Sequence, residues 1–98
     1  MTFEEFQRSL EQSAPPGNLS EPLKALWWAA NANWEKAHQI VQEVSSRDGS
    51  WVHAHLHRQE GDLGNAAYWY SRAGRPQADS PLEAEWAGIV QELLKSPA

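Results

Sequence analysis

The sequence predicts an all-α domain in which two helical hairpins stack on one another and a further helix stands at each end. Apolar residues recur at i, i+3, i+4 and i+7 through successive segments, and no segment alternates with period two over the length of a strand. Glycine, proline and asparagine divide those segments into helix-sized pieces. The chain also matches itself at a shift of 29 residues: Ala37 falls on Ala66, Asn33 on Asp62, Val41 on Tyr70, Val44 on Ala73, Leu23 on Val52 and Ala25 on Ala54. These matches keep side-chain size and periodicity together, as repeated hairpins do.

Thr2 and Glu5 make a capping box, and Phe3, Phe6 and Leu10 follow at helical spacing, so an amphipathic helix is expected within residues 1–13. Ala14-Pro15-Pro16-Gly17-Asn18 cannot continue a helix, which makes residues 14–19 a linker. The first hairpin occupies residues 20–45. Ser20 caps a helix with Pro22 in its first turn, and the following PLKALWWAAN is apolar apart from Lys24 and Asn31. Asn33 then caps a helix from Trp34 to about Val44, whose Ala37, Ile40, Val41 and Val44 share one face.

Ser45 to Ser50 is polar, contains glycine and is predicted to be a loop. The second hairpin, residues 50–74, breaks at Gly61-Asp62 and stops at Gly74, where a left-handed residue ends a helix. Arg75 to Asp79 is a further connection. Ser80-Pro81-Leu82-Glu83 combines a capping serine, a first-turn proline and a glutamate, and starts a helix over residues 80–95 with Leu82, Trp86, Ile89, Val90 and Leu93 on one side. Each hairpin has an apolar face it cannot bury alone, so stacking supplies the core and the end helices shield it.

A chain of 98 residues with 41% hydrophobic content builds one modest core, giving a single domain over residues 1–98. A formal charge of −5, without a run of lysine and arginine, speaks against nucleic acid as a partner. There is no cysteine, which removes disulfides and thiolate metal sites. No apolar stretch is long enough to cross a bilayer and the N-terminal residues lack a signal peptide's apolar run, so the expected location is the cytoplasm and no membrane partner is expected. Six tryptophans in so short a chain are expected mostly in the core.

Gly61-Asp62, Ala66, Tyr70 and Ala73 resemble the turn and the small-large-small pattern of a tetratricopeptide (TPR) second helix, and Asn65 to Ala73 resembles the signature of Sel1-like repeats. The segment His53 to Asp62, which contains His-x-His-Leu-His-Arg-x-Glu-Gly-Asp, is similar to one in small bacterial and fungal proteins that brings no activity with it. The TPR resemblance implies a short right-handed array of helix pairs that binds proteins or peptides through its first helices. It places Ala54 in the small slot of a first helix and His57 in the large aromatic slot, answering Trp28 of the first hairpin, and it makes His57 a packing residue with its ring bonded to Tyr70 or a backbone carbonyl. His53 and Glu60 answer Lys24 and Asn31, and are expected to be more accessible than His57. A 29-residue repeat is shorter than the usual roughly 34.

His53, His57 and Glu60 recur at i, i+4 and i+7 on one helix and project in nearly the same direction. With Arg58, Asn65, Tyr68 and Arg72 they make a polar, aromatic candidate site for a ligand, since arginine pairs with carboxylates and an imidazole beside a carboxylate serves as acid or base. Simpler roles compete: Asp62 as a helix cap, Asn65 as support for the turn, Arg58 and Arg72 as solvated charges, Glu60 as the partner of a basic neighbour. His53 and His57 can chelate one ion, with Glu60 or His38 adding a ligand, yet the adjacent glutamate of HExxH is missing and neither a metal nor a cofactor is expected. His55 has no partner by spacing.

These readings lead to a non-enzymatic binding or scaffolding module that engages a protein, a peptide or a small acidic ligand. The alternatives are a small hydrolase-like acid-base enzyme using His53 or His57 with Glu60, and a structural homodimer with tryptophans across its interface.

Overall fold

The computed structural model describes residues 1–95 and contains six helices: α1 (Phe3–Ser9), α2 (Glu21–Ala30), α3 (Trp34–Val41), α4 (Arg47–Gln59), α5 (Leu63–Ala73) and α6 (Leu82–Lys95). No strand occurs among the described residues, and no helix there is long and apolar enough to cross a membrane. The last three residues of the chain lie outside this description.

Local chemistry sets most of the boundaries. The Thr2 hydroxyl accepts from the Glu5 amide at 3.1 Å while the Glu5 carboxylate accepts from the Thr2 amide at 2.8 Å, closing the capping box on α1. The turns from α2 to α3 and from α4 to α5 repeat each other bond for bond. The Asn33 amide donates to the Trp28 carbonyl and the Asp62 amide to the His57 carbonyl, each at 2.9 Å. Each of those two side chains then accepts from the amide three residues on, at 3.1 Å for Lys36 and 3.2 Å for Asn65. Both turns need a left-handed residue just before the cap, and Ala32 (φ 61°) and Gly61 (φ 85°) supply it. Alanine carries the strain of its Cβ there, and glycine does not.

Three boundaries differ from the sequence expectation. α4 begins at Arg47, capped by the Ser46 hydroxyl on the Gly49 amide at 3.1 Å, so most of the predicted Ser45–Ser50 loop is helix. The glycine that suggested a loop is there for close packing: a Cβ on Gly49 would fall 2.6 Å from Val44 Cγ1 and 2.8 Å from its carbonyl oxygen. Conversely α3 stops at Val41. α6 starts at Leu82, where the Glu85 amide bonds to the Pro81 carbonyl, and Ser80 gives its own carbonyl to Arg58.

α2 packs on α3 and α4 on α5, and α4 also touches α2, α3 and α6, which makes it the central helix. α6 returns to lie against α2 and α1, so the two helices that the sequence places at opposite ends meet. The main core contains Phe6, Leu26, Trp27, Val52, Leu56, Ile89 and Val90, and a smaller one between α4 and α5 contains Ala54, Ala66 and Tyr70. Of the tryptophans only Trp27 is fully buried. The others are half-buried and pack their rings on the core edge. Their indole N–H groups act as ties between helices: Trp27 donates to the Ser9 hydroxyl at 3.1 Å, Trp34 to the Leu56 carbonyl at 2.7 Å, and Trp86 to the Leu26 carbonyl at 2.9 Å. An amphipathic ring with one donor suits that boundary position.

Candidate functional site

α4 carries polar side chains on two faces of a helix that is buried from Gly49 to His57 apart from the half-buried Trp51. Residues four apart share a face, so His53 and His57 project together into the space between α3 and α5, while His55 is turned toward α6. α3 brings His38 to the first pair. His53 Nε2 lies 3.0 Å from His38 Nε2, one ring donating and the other accepting, and the His53 and His57 rings stack at 4.9 Å. Trp34 stacks on His38 at 4.8 Å and Trp69 on His53 at 3.9 Å, so the three imidazoles stand between two indoles. His57 Nδ1 donates to Glu60 Oε1 at 2.6 Å.

Glu60 is more accessible than His57, as the sequence suggests, but His53 is not. His53 is 4% exposed and His57 8%, because Trp69 covers the former. The His57 ring finds its partner in Glu60, three residues along its own helix, instead of Tyr70 or a backbone carbonyl. Burial pushes His53 down to about 4, with the neighbouring His38 and His57 adding to the effect, and burial also lowers His38. A proton on His53 or His38 would sit beside other imidazoles in a poorly solvated space, so the neutral forms of these two rings are favoured.

On the other face His55 has the partner that spacing alone did not reveal. Its Nδ1 donates to Glu85 Oε1 at 2.7 Å, Arg58 donates to the same oxygen at 3.0 Å, and the Tyr70 hydroxyl donates to Glu85 Oε2. Burial by itself raises the Glu85 pKa, but hydrogen bonds from His55 and Tyr70, with help from Arg58, outweigh it and hold the carboxyl below its ordinary value. Burial, and then the bond to Glu85, push the Tyr70 phenol upward. Both carboxylate oxygens are thus satisfied, and no buried side-chain polar atom lacks a partner among the described residues.

The remaining predicted site residues separate into two groups. Arg58 is engaged by Glu85 and Ser80, and Asn65 donates to Asp62 Oδ2 at 2.8 Å within the turn that Asp62 caps. Tyr68 and Arg72 are exposed on α5, where the Arg72 guanidinium lies over the Tyr68 and Trp69 rings at 5.8 and 5.4 Å and donates to the Tyr68 hydroxyl at 3.1 Å. Arg75, just past the end of α5, lies 3.8 Å over the Trp51 ring. Sequence reasoning missed Glu85 and Tyr70 as members of a polar network and gave His38 only a subsidiary place. Glu85 does carry a signal in the sequence: it stands three residues after Leu82 and four before Ile89, inside the apolar stripe of its helix.

Comparison of the chain with family models, with curated proteins and with solved structures gives no match.

Proposed function

We propose that this chain is a non-enzymatic binding module, a pair of TPR-like hairpins formed by α2 with α3 and α4 with α5, which takes an acidic peptide or small acidic ligand beside the histidine helix. The observation that carries this reading is the pair of arginines on aromatic rings at the C-terminal end of α5. Arg72 over Tyr68 and Trp69, and Arg75 over Trp51, rest against aromatic rings while both residues stay exposed to solvent. Among the described residues no carboxylate pairs with either one, although the chain as a whole is acidic. A guanidinium held on a ring loses little freedom when it grips a carboxylate in a bidentate fashion. The matched turns at Ala32 and Gly61 and the 29-residue self-similarity support the hairpin reading.

Trp69 lies under Arg72, so its fluorescence reports on the face directly. Titration with glutamate-rich peptides is expected to give a saturable change that weakens at least about tenfold in Arg72→Ala, the loss of a hydrogen bond to a charged group. A response identical in parent and Arg72→Ala would remove this face from the reading. The acid-base alternative has one observation in its favour, the 2.6 Å contact of His57 with Glu60. A substrate screen whose turnover disappears in Glu60→Gln would transfer the assignment to that pair.

A further inference from the structure

We propose that His38, His53 and His57 form a binding site for one divalent transition-metal ion of the zinc type. Its ligands are separate from the arginine face above, and the two share only Trp69, which stacks on His53 and lies under Arg72.

One ring nitrogen from each histidine can be chosen so that all three lie within 4.8 Å of one another, and His38 Nε2 and His53 Nε2 are 3.0 Å apart. Two imidazoles on one tetrahedral zinc, at about 2.0 to 2.1 Å each, have nitrogens about 3.4 Å apart. For the His38 and His53 pair a shift of a few tenths of an ångström therefore separates the present arrangement from a coordinating one, and the His57 nitrogen, within 4.8 Å of the others, closes the remaining distance by turning its ring. Such small adjustments are within reach of rings at the edge of a core, where His38 is half-buried.

The surroundings resemble a support for ligands more than ordinary core packing. Apolar side chains would fill this space at lower cost than three imidazoles that must share hydrogens. Trp34 stacks on His38 and Trp69 on His53, which restricts both rings. His57 donates its Nδ1 hydrogen to Glu60, which turns its Nε2 lone pair into the available donor, and a carboxylate behind a metal-binding imidazole both orients it and raises its basicity. Glu60 and Asp62 are exposed beside His57 and lie close enough to it to form a second acidic cluster, giving a cation an attractive route to the buried rings. Three neutral nitrogens favour zinc, copper or nickel over calcium or magnesium, which take oxygen ligands. Three protein donors also leave a position for water or for an external donor.

The test uses the untagged full chain after treatment with a chelator. Titration with Co²⁺, a coloured substitute for zinc, is expected to saturate at one ion per chain with visible d–d absorption, and Zn²⁺ is expected to displace it. Binding should weaken about 100-fold in His38→Ala and about 10-fold in Glu60→Gln, the range for losing a ligand or the group behind one, and be unchanged in Glu83→Gln, an exposed carboxylate on α6. Zn²⁺ should raise the thermal unfolding midpoint of the parent by mass action and leave that of His38→Ala in place. Absence of saturable binding by the parent overturns the proposal, as does an unchanged affinity in His38→Ala, which would put the ion on surface carboxylates. Circular dichroism checks that His38→Ala is folded. If it is not, the exposed Glu60→Gln decides alone, weaker binding supporting the site and unchanged binding overturning it.

Discussion

The two polar clusters on opposite faces of α4 are built from similar side chains and solve the cost of burial in opposite ways. On the α6 side one carboxylate, Glu85, collects His55, Arg58 and Tyr70, so donors and acceptors are matched and charges of both signs are present. On the α3 and α5 side three imidazoles face one another, and the single carboxylate, Glu60, stands at the exposed edge of the group. The first cluster stabilises the fold by being complete. The second pairs imidazole with imidazole and has no carboxylate at its centre. Burial alone does not separate them, since His53, His55 and His57 are all buried. What separates them is whether a charge complement is present.

The largest expected difference comes from removing the complement. Glu85→Ala leaves Arg58 and His55 without their acceptor in a half-buried to buried setting, and should lower the unfolding free energy by about 3 kcal/mol, measured by urea denaturation. A loss below about 1 kcal/mol would mean that water replaces the carboxylate and that the network is ornamental.

The pH response should be next in size and should separate the clusters by where it falls. The His53 pKa is about 4 in the folded chain against 6.5 for the free side chain, so between those values the unfolded chain binds a proton that the folded chain refuses. More protons on the unfolded side means that stability falls as pH falls, by about 2 kcal/mol from pH 7 to pH 5 in metal-free protein. His38, also lowered, adds in the same direction. The Glu85 contribution is present above its unfolded pKa and is lost only as pH drops through the lower folded value, so it leaves the interval from pH 7 to 5 flat. Urea midpoints of the parent should slope across that interval, and those of His53→Gln should slope clearly less, keeping only the part that His38 contributes. Equal slopes would place the acid sensitivity elsewhere.

The smallest effect should be His38→Ala without metal. His38 is half-buried at the mouth of its cluster, so water can replace its bond to His53, and a loss of about 1 kcal/mol is expected by urea unfolding. A loss comparable to that of Glu85→Ala would show that the imidazole group holds the fold together as strongly as the carboxylate network, and the contrast between the two faces would disappear.

Much of the helix plan was legible because its signals are local. The Thr2 and Glu5 box, the Asn33 and Asp62 caps and the Gly74 stop each act within a few residues, and the 29-residue shift predicted that the two turns would match. Gly49 misled for a related reason. Glycine signals a loop when only its backbone freedom is considered, whereas here it is needed for the close approach of Val44. The candidate site was legible only in half. The spacing of His53 and His57 put them on one face, but the partners that give each cluster its character, His38 and Glu85, come from 15 and 30 residues away along the chain.

By itself the sequence determined the helices, their caps and the shared face of His53 and His57, because hydrogen bonding within a turn and a period of 3.6 residues depend only on near neighbours. The tertiary structure decided which face of α4 meets a carboxylate and which meets another imidazole, how deeply His53 is covered by Trp69, and that α6 returns to α2 and α1. Those outcomes depend on how apolar stripes from distant segments pack together, and burial then turns the same residue type into a charge-matched network on one side and a group of imidazoles paired with one another on the other.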